Sequence, residues 1–226
     1  MKKAIATLMA LTMCISLASC NQNSKNSQSN TSLPESVISW SNPDIEDPME
    51  GTNYTQSVVS KGIFTNEYAE LKLRVPYDFI VISDDERKSI WDDVLKSLND
   101  NKERTRKLAT KLDACLWCRK TGESINVYFL NTKLGFPYDS DYTEEDYLND
   151  EIKTYEEYEI VEKNISKVTL GGKEYTRAEL LVDFDGVECR IYLYARKVDE
   201  SLMVKIEAAS LSDKRADYFE DLFLDE

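Results

Sequence analysis

Near the C-terminal end the chain breaks into four hydrophobic stretches separated by Gly171-Gly172, Asp185-Gly186 and Asp199-Glu200. Gly-Gly and Asp-Gly supply the positive-φ residues that two-residue hairpin turns need, so the stretches they join must pair antiparallel. The spacing predicts strands over 165–170, 173–184, 187–198 and 202–209, a four-stranded meander. Upstream, Leu71, Leu73 and Val75 alternate with Lys72 and Arg74 until Pro76 stops the pattern, as in a half-buried strand. Two more strands are expected over 112–119 and 124–130, joined at Thr121-Gly122 into a hairpin.

Helices are signalled where capping chemistry precedes a 3.6-residue apolar period. Ser83-Asp84-Asp85-Glu86 forms a capping box ahead of Ile90, Trp91, Val94 and Leu98, which predicts a helix over 84–98 with a polar continuation toward Ala109. Thr143-Glu144-Glu145-Asp146 opens a second, carrying Tyr147, Leu148, Ile152 and Tyr155 on one face; its acidic first turn suits the positive end of the helix dipole. Ser212 is expected to cap a third, in which Ala216, Phe219, Leu222 and Phe223 pack. Strands in runs, with helices grouped between them, predict an α+β domain: a central antiparallel sheet flanked by helices.

Composition then removes whole classes of function. The 226 residues include no histidine, which excludes Ser-His and Cys-His nucleophile pairs, His-ligated zinc and an imidazole switch near neutral pH. A net charge of −14 repels phosphate backbones, so no nucleic-acid partner is expected. Hydrophobic residues at 42% are enough for a real core.

The N-terminus carries the most specific motif. Lys2 and Lys3 precede an apolar run from 4 to 16, too short to span a bilayer comfortably, and the run ends in Leu17-Ala18-Ser19-Cys20. This resembles the lipobox of bacterial lipoproteins. The resemblance implies removal of residues 1–19 as a signal peptide, a diacylglyceryl thioether on Cys20, and anchoring to the extracytoplasmic face of the cell membrane; two acyl chains suffice for stable attachment where one does not. Residues 21–32 are mostly Asn, Gln, Ser and Thr, too polar to offset ordering entropy. A tether over 20–61 is therefore expected, with a reach on the order of 35 Å, ahead of a domain over 62–226. Trp40, odd in a linker, either docks back on the domain, stays exposed or meets a partner.

Phe64-Thr65-Asn66-Glu67-Tyr68, Leu71-Lys72-Leu73-Arg74-Val75-Pro76-Tyr77, the capped helix, the hairpin and Val168-Thr169-Leu170-Gly171-Gly172-Lys173-Glu174-Tyr175 together resemble a broad group of uncharacterised lipoproteins of Gram-positive gut bacteria. Their domain is similar to PsbP, an accessory protein of the photosynthetic oxygen-evolving complex. The resemblance covers about 62–226 and implies a PsbP-like α/β/α sandwich. It implies no reaction, because the shared residues are turn and strand-end features.

Three features invite chemistry. Cys115-Leu116-Trp117-Cys118 has Cys-X-X-Cys spacing, but a thioredoxin-type pair opens a helix, and in a strand residues three apart face opposite ways. Packed thiols are expected, against the alternative of a redox pair; Cys189 alternates with Val187, Ile191 and Leu193 and should face the core. A Cys118–Cys189 disulfide is the other option an exported location permits, and zinc would require a fourth ligand. The segment with Asp139, Asp141, Glu144, Glu145, Asp146, Asp150 and Glu151 supplies carboxylates without the glycine and glutamate register of an EF-hand loop; a solvated helix entrance is expected, with no metal site. Gly171-Gly172 lacks the Gly-Lys-Ser of a phosphate loop and reads as a turn. These readings point to a non-enzymatic binding or interaction module with no cofactor, its partner an unknown protein or envelope ligand. The alternatives are a thiol redox protein using Cys115 and Cys118, or an accessory lipoprotein for a metal or small ligand.

Overall fold

A computed structural model describes residues 47–98, 101–136, 141–211 and 215–225. Among these residues ten strands form two antiparallel sheets. The smaller contains β1 (Val58–Ser60), β2 (Ile63–Asn66) and β3 (Leu71–Arg74) in that order. The larger contains β4 (Ile80–Val81), β5 (Thr110–Trp117), β6 (Ser124–Asn131), β7 (Glu159–Leu170), β8 (Lys173–Asp183), β9 (Glu188–Lys197) and β10 (Leu202–Ser210). Its order is β4-β5-β6-β10-β9-β8-β7. The expected meander is thus β7 to β10, and the β5–β6 hairpin joins it through β10, with Val204 opposite Phe129. The turn glycines do what the sequence required of them: Gly171, Gly172 and Gly186 all have positive φ. At Gly171 a side chain would also meet the Leu224 carbonyl at 2.8 Å.

Helix α1 (Asp84–Ser97) starts at the expected capping box, with the Ser83 hydroxyl accepting from the Glu86 amide and the Glu86 carboxylate accepting from the Ser83 amide. The polar continuation is a separate helix, α2 (Asn101–Leu108). A short α3 (Thr132–Gly135) follows β6, capped by Asn131. Helix α4 (Glu144–Ile152) begins at a Thr143–Asp146 capping box, and α5 (Ala216–Glu220) ends the fold. Arg215 occupies the N-cap of α5 without a side-chain cap bond; the expected cap, Ser212, lies outside the described residues.

The core divides into two layers, one on each face of the large sheet. One layer joins Phe129, Tyr192, Tyr194 and Val204 to Phe64, Leu71 and Leu73 of the small sheet and to Phe219 of α5. The other joins Leu180, Ile191, Leu193 and Met203 to Tyr147, Leu148 and Ile152 of α4. Each such large apolar side chain removed from water contributes roughly 1.5–3 kcal/mol before entropy is counted. The domain is α+β, a sheet flanked by helices with a second small sheet on one side.

One boundary differs from expectation. Residues 47–61, assigned to the tether by their prolines and polar composition, pack against the domain from Met49 onward, which is 6% exposed. Asn131 donates to the Glu50 carbonyl at 3.0 Å. Asn66 donates to the Thr55 carbonyl at 2.7 Å and to the Ser57 hydroxyl at 2.9 Å. Side-chain amides from the domain capture backbone that has no strand partner of its own, a form of support that hydrophobic periodicity does not reveal.

Candidate functional site

The Cys-X-X-Cys spacing is the one concrete basis for the redox alternative. Cys118 falls one residue beyond the end of β5 rather than within it. It packs in the layer under the small sheet, its thiol donating to Asp78 at 3.6 Å. Cys115 is buried on the strand, and Cys189 lies in the opposite layer beneath α4. All three are free and buried. Cys118 and Cys189 stand on opposite faces of the sheet, so the disulfide between them is not formed. Burial, reinforced by the Glu207 carboxylate, pushes the Cys115 thiol up to about 12 against a weaker pull from Arg87, and burial likewise moves Cys189 to about 12. A thiol held protonated is a poor nucleophile.

The acidic segment is also used structurally, and its carboxylates diverge. Asp146 closes the α4 capping box, Glu144 accepts from the Lys197 amide at 3.1 Å, and Asp150 accepts from the Tyr142 hydroxyl at 2.7 Å. Asp139 lies outside the described residues, as do Cys20 and Trp40. Among the described residues no group of three or more Cys, Asp or Glu side chains is placed to hold a metal. Glu151 corrects the expectation of a solvated helix entrance, being only 3% exposed.

Glu151 is the centre of a buried ion cluster that sequence reasoning missed. Its carboxylate receives Lys107 at 2.9 Å, Lys205 at 2.6 Å and Arg106 at 3.3 Å. Lys205 also meets Glu207 at 3.3 Å and sits 4.2 Å from the Tyr128 ring centroid. Arg106 reaches Asp150 at 3.2 Å. The cluster therefore ties α2, α4 and β10 together. Burial alone would raise the Glu151 carboxyl, but Lys107, Lys205 and Arg106 hold it far below the usual carboxylate range. Burial lowers Lys107 to about 8, outweighing the attraction of Glu151. Lys205 is raised, because Glu151, Tyr147 and Glu207 together overcome its burial.

Beside this cluster the surface opens into a cleft of about 410 Å³, lined by Asp47 and Pro48, by Arg87, Lys88 and Trp91 of α1, and by Thr110, Lys111 and Leu112 of β5. Its position follows from the sheet. β4 pairs only with Leu116 and Trp117 of β5, so the 110–112 half of β5 has β6 on one side and, among the described residues, no strand on the other. A bulge at Asp113, where the register shifts between Leu112 and Ala114, separates the two halves. Asp113 joins α1 and the 54–57 segment to β5 next to the cleft. Its carboxylate accepts from Tyr54 and Ser57, and its carbonyl accepts from the Arg87 guanidinium. Tyr54 is itself raised by burial and by the adjoining Asp113 charge, which keeps the phenol a donor. Lys111 lies 4.4 Å from the Tyr54 ring centroid, and Trp91 lies 5.8 Å from Tyr128.

The cleft thus presents mixed charge, an indole and a strand edge that has no strand neighbour among the described residues. Such a surface can hold a polar or polypeptide ligand by hydrogen bonds and stacking. The sequence offered one partial signal, the Trp91 period on α1. The open edge depends on how far β4 runs, which periodicity does not show.

No family model and no curated protein matches the chain. Among solved structures, the crystal structure of LpqN, involved in cell envelope biogenesis of Mycobacterium tuberculosis, is similar over 68% of this chain and 82% of that chain, with 11% identity and a TM-score of 0.40. A likeness this distant carries no argument about what this chain does. No helix of the described residues is long and apolar enough to cross a membrane.

Proposed function

We propose that this chain is a lipid-anchored lipoprotein of the bacterial envelope, held to the extracytoplasmic membrane face through Cys20, whose domain is a non-enzymatic binding module. The observation that carries the binding role is the cleft at the open half of β5. Among the described residues its strand edge leaves 110–112 without a second strand neighbour, and Lys88, Trp91 and Lys111 stand around it. An extended polypeptide segment of an envelope partner fits this geometry, because strand addition supplies main-chain hydrogen bonds while neighbouring side chains set specificity. The buried thiols and the structural bonds made by Glu144, Asp146, Asp150 and Glu151 favour binding over redox or metal chemistry.

The anchor is tested by Cys20→Ala, which should release the protein from the membrane fraction or block its processing. Retention in the membrane pellet with unchanged mass and detergent dependence contradicts it. The binding role is tested with a photoreactive residue in place of Lys88 in whole cells. A discrete crosslinked species should form there and not from the same residue at Val161, on exposed β7; equal products at both positions, or none at position 88, contradict the cleft.

A further inference from the structure

The outer face of the small sheet differs from the rest of the protein surface. Phe64 and Leu73 point into the core, so their neighbours point away from it. The register places Ser60, Ile63 and Arg74 in one outward row and Val58, Thr65 and Lys72 in the next. Val58 is 60% exposed and Ile63 36%. Lys61 sits at the exposed β1–β2 turn, and Tyr77, just after β3, is fully exposed. In a chain of net charge −14, the three strands carry cations and no acid. The nearest acids along the chain, Glu67, Glu70 and Asp78, lie in the flanking turns, and Glu70 is engaged by Lys173; Asp221 and Asp225 bracket the 222–224 segment that bonds to the edge of β3, outside the three strands themselves.

We infer that this face seats the domain on an anionic lipid bilayer. The inference rests on the anchored reading and deepens it, since tethering at Cys20 would keep the face near headgroups. Cations interspersed with exposed apolar and aromatic side chains suit that boundary: Lys61, Lys72 and Arg74 meet lipid phosphates, while Val58, Ile63 and Tyr77 enter the interfacial layer. The remainder of the surface, strongly acidic, is repelled by the same headgroups, so the domain takes one orientation.

The test uses the mature chain from residue 20 with Cys20→Ser, so that no acyl group contributes, and vesicles of phosphatidylcholine alone or with roughly one-third phosphatidylglycerol. The chain should sediment with the anionic vesicles and not the neutral ones, and high salt should release it. Combined Lys61→Glu, Lys72→Glu and Arg74→Glu should weaken binding on the order of a hundred-fold. Tyr77→Ala should weaken it by a smaller factor while preserving the salt response, and this variant decides the matter should the triple variant misfold. Equal partition into both vesicle types, no partition into either, or unaltered binding of these variants overturns the inference. Displacement by soluble polyglutamate at equal charge assigns the face to an acidic protein instead and overturns it too. Because the probe chain is unlipidated, failure here leaves the Cys20 anchor standing, and failure of the anchor leaves the vesicle result readable.

Discussion

Toward the small sheet, the large sheet presents Phe129, Tyr192, Tyr194 and Val204 to other apolar side chains; on its opposite face Lys205 and Glu207 meet Glu151, Lys107 and Arg106 beneath α4 and α2. The first face is held mostly by apolar contact, which tolerates small shifts, with Arg177 meeting Glu220 of α5 at 2.7 Å beside it. The second fixes position: ions taken out of water are offset only where partners and hydrogen bonds are well placed. Helices α2 and α4 are therefore held on the face where charge specifies geometry, and the small sheet is held on the face where area decides.

The largest expected effect breaks the charged face. Glu151→Ala leaves Lys107, Lys205 and Arg106 without their shared carboxylate and should cost about 3–5 kcal/mol in urea unfolding. Leu116→Ala, 1% exposed in the apolar layer, is the comparator; it should cost about 2–5 kcal/mol from lost transfer energy and the cavity left behind.

Acid separates the two faces more sharply than size of effect. Glu151 and Asp150 are both held below their ordinary values. A carboxyl depressed in the folded state contributes stability that is present above its unfolded value, 4.5 for Glu151, and is lost as pH falls through the folded value. The unfolding free energy of the native chain should therefore fall steadily below about pH 5. Leu116→Ala should follow a parallel curve, and Glu151→Ala a flatter one. Parallel curves for all three would contradict the ionic role of Glu151.

The smallest expected effect concerns the thiols. Reductant should leave the melting temperature of the domain within about one degree, whereas a disulfide closing a loop from Cys118 to Cys189 would contribute about 4 kcal/mol and shift it by several degrees. A thiol reagent should label Cys115, Cys118 and Cys189 only when denaturant is added.

Much of the architecture was legible because local chemistry enforces it. Ser83–Glu86, Thr143–Asp146, Gly171-Gly172 and Asp185-Gly186 each satisfy a backbone requirement within four residues, so they mark the same structure in any context. The divergence of Cys115 and Cys118 followed from strand parity, although the strand ends at Trp117, two residues earlier than expected and just before Cys118. The ion cluster was not legible. Lys205 and Glu207 alternate with Val204 and Ile206 like the solvent side of a strand, and Arg106 and Lys107 read as a polar helix end; their burial depends on α4 covering them, a contact between residues about fifty apart. Residues 47–57 were misread for a related reason, since amide capture by Asn66 and Asn131 has no periodicity.

The division of labour between the two faces is tested most directly by hydrogen exchange on Glu151→Gln, which keeps the side-chain volume and removes the charge. Backbone amides of α2 and α4 should lose protection, while β2, β3 and the strands beneath them keep theirs, because local opening follows the contacts that hold each unit. Loss of protection spread evenly over both layers, or none in α2 and α4, would contradict the account.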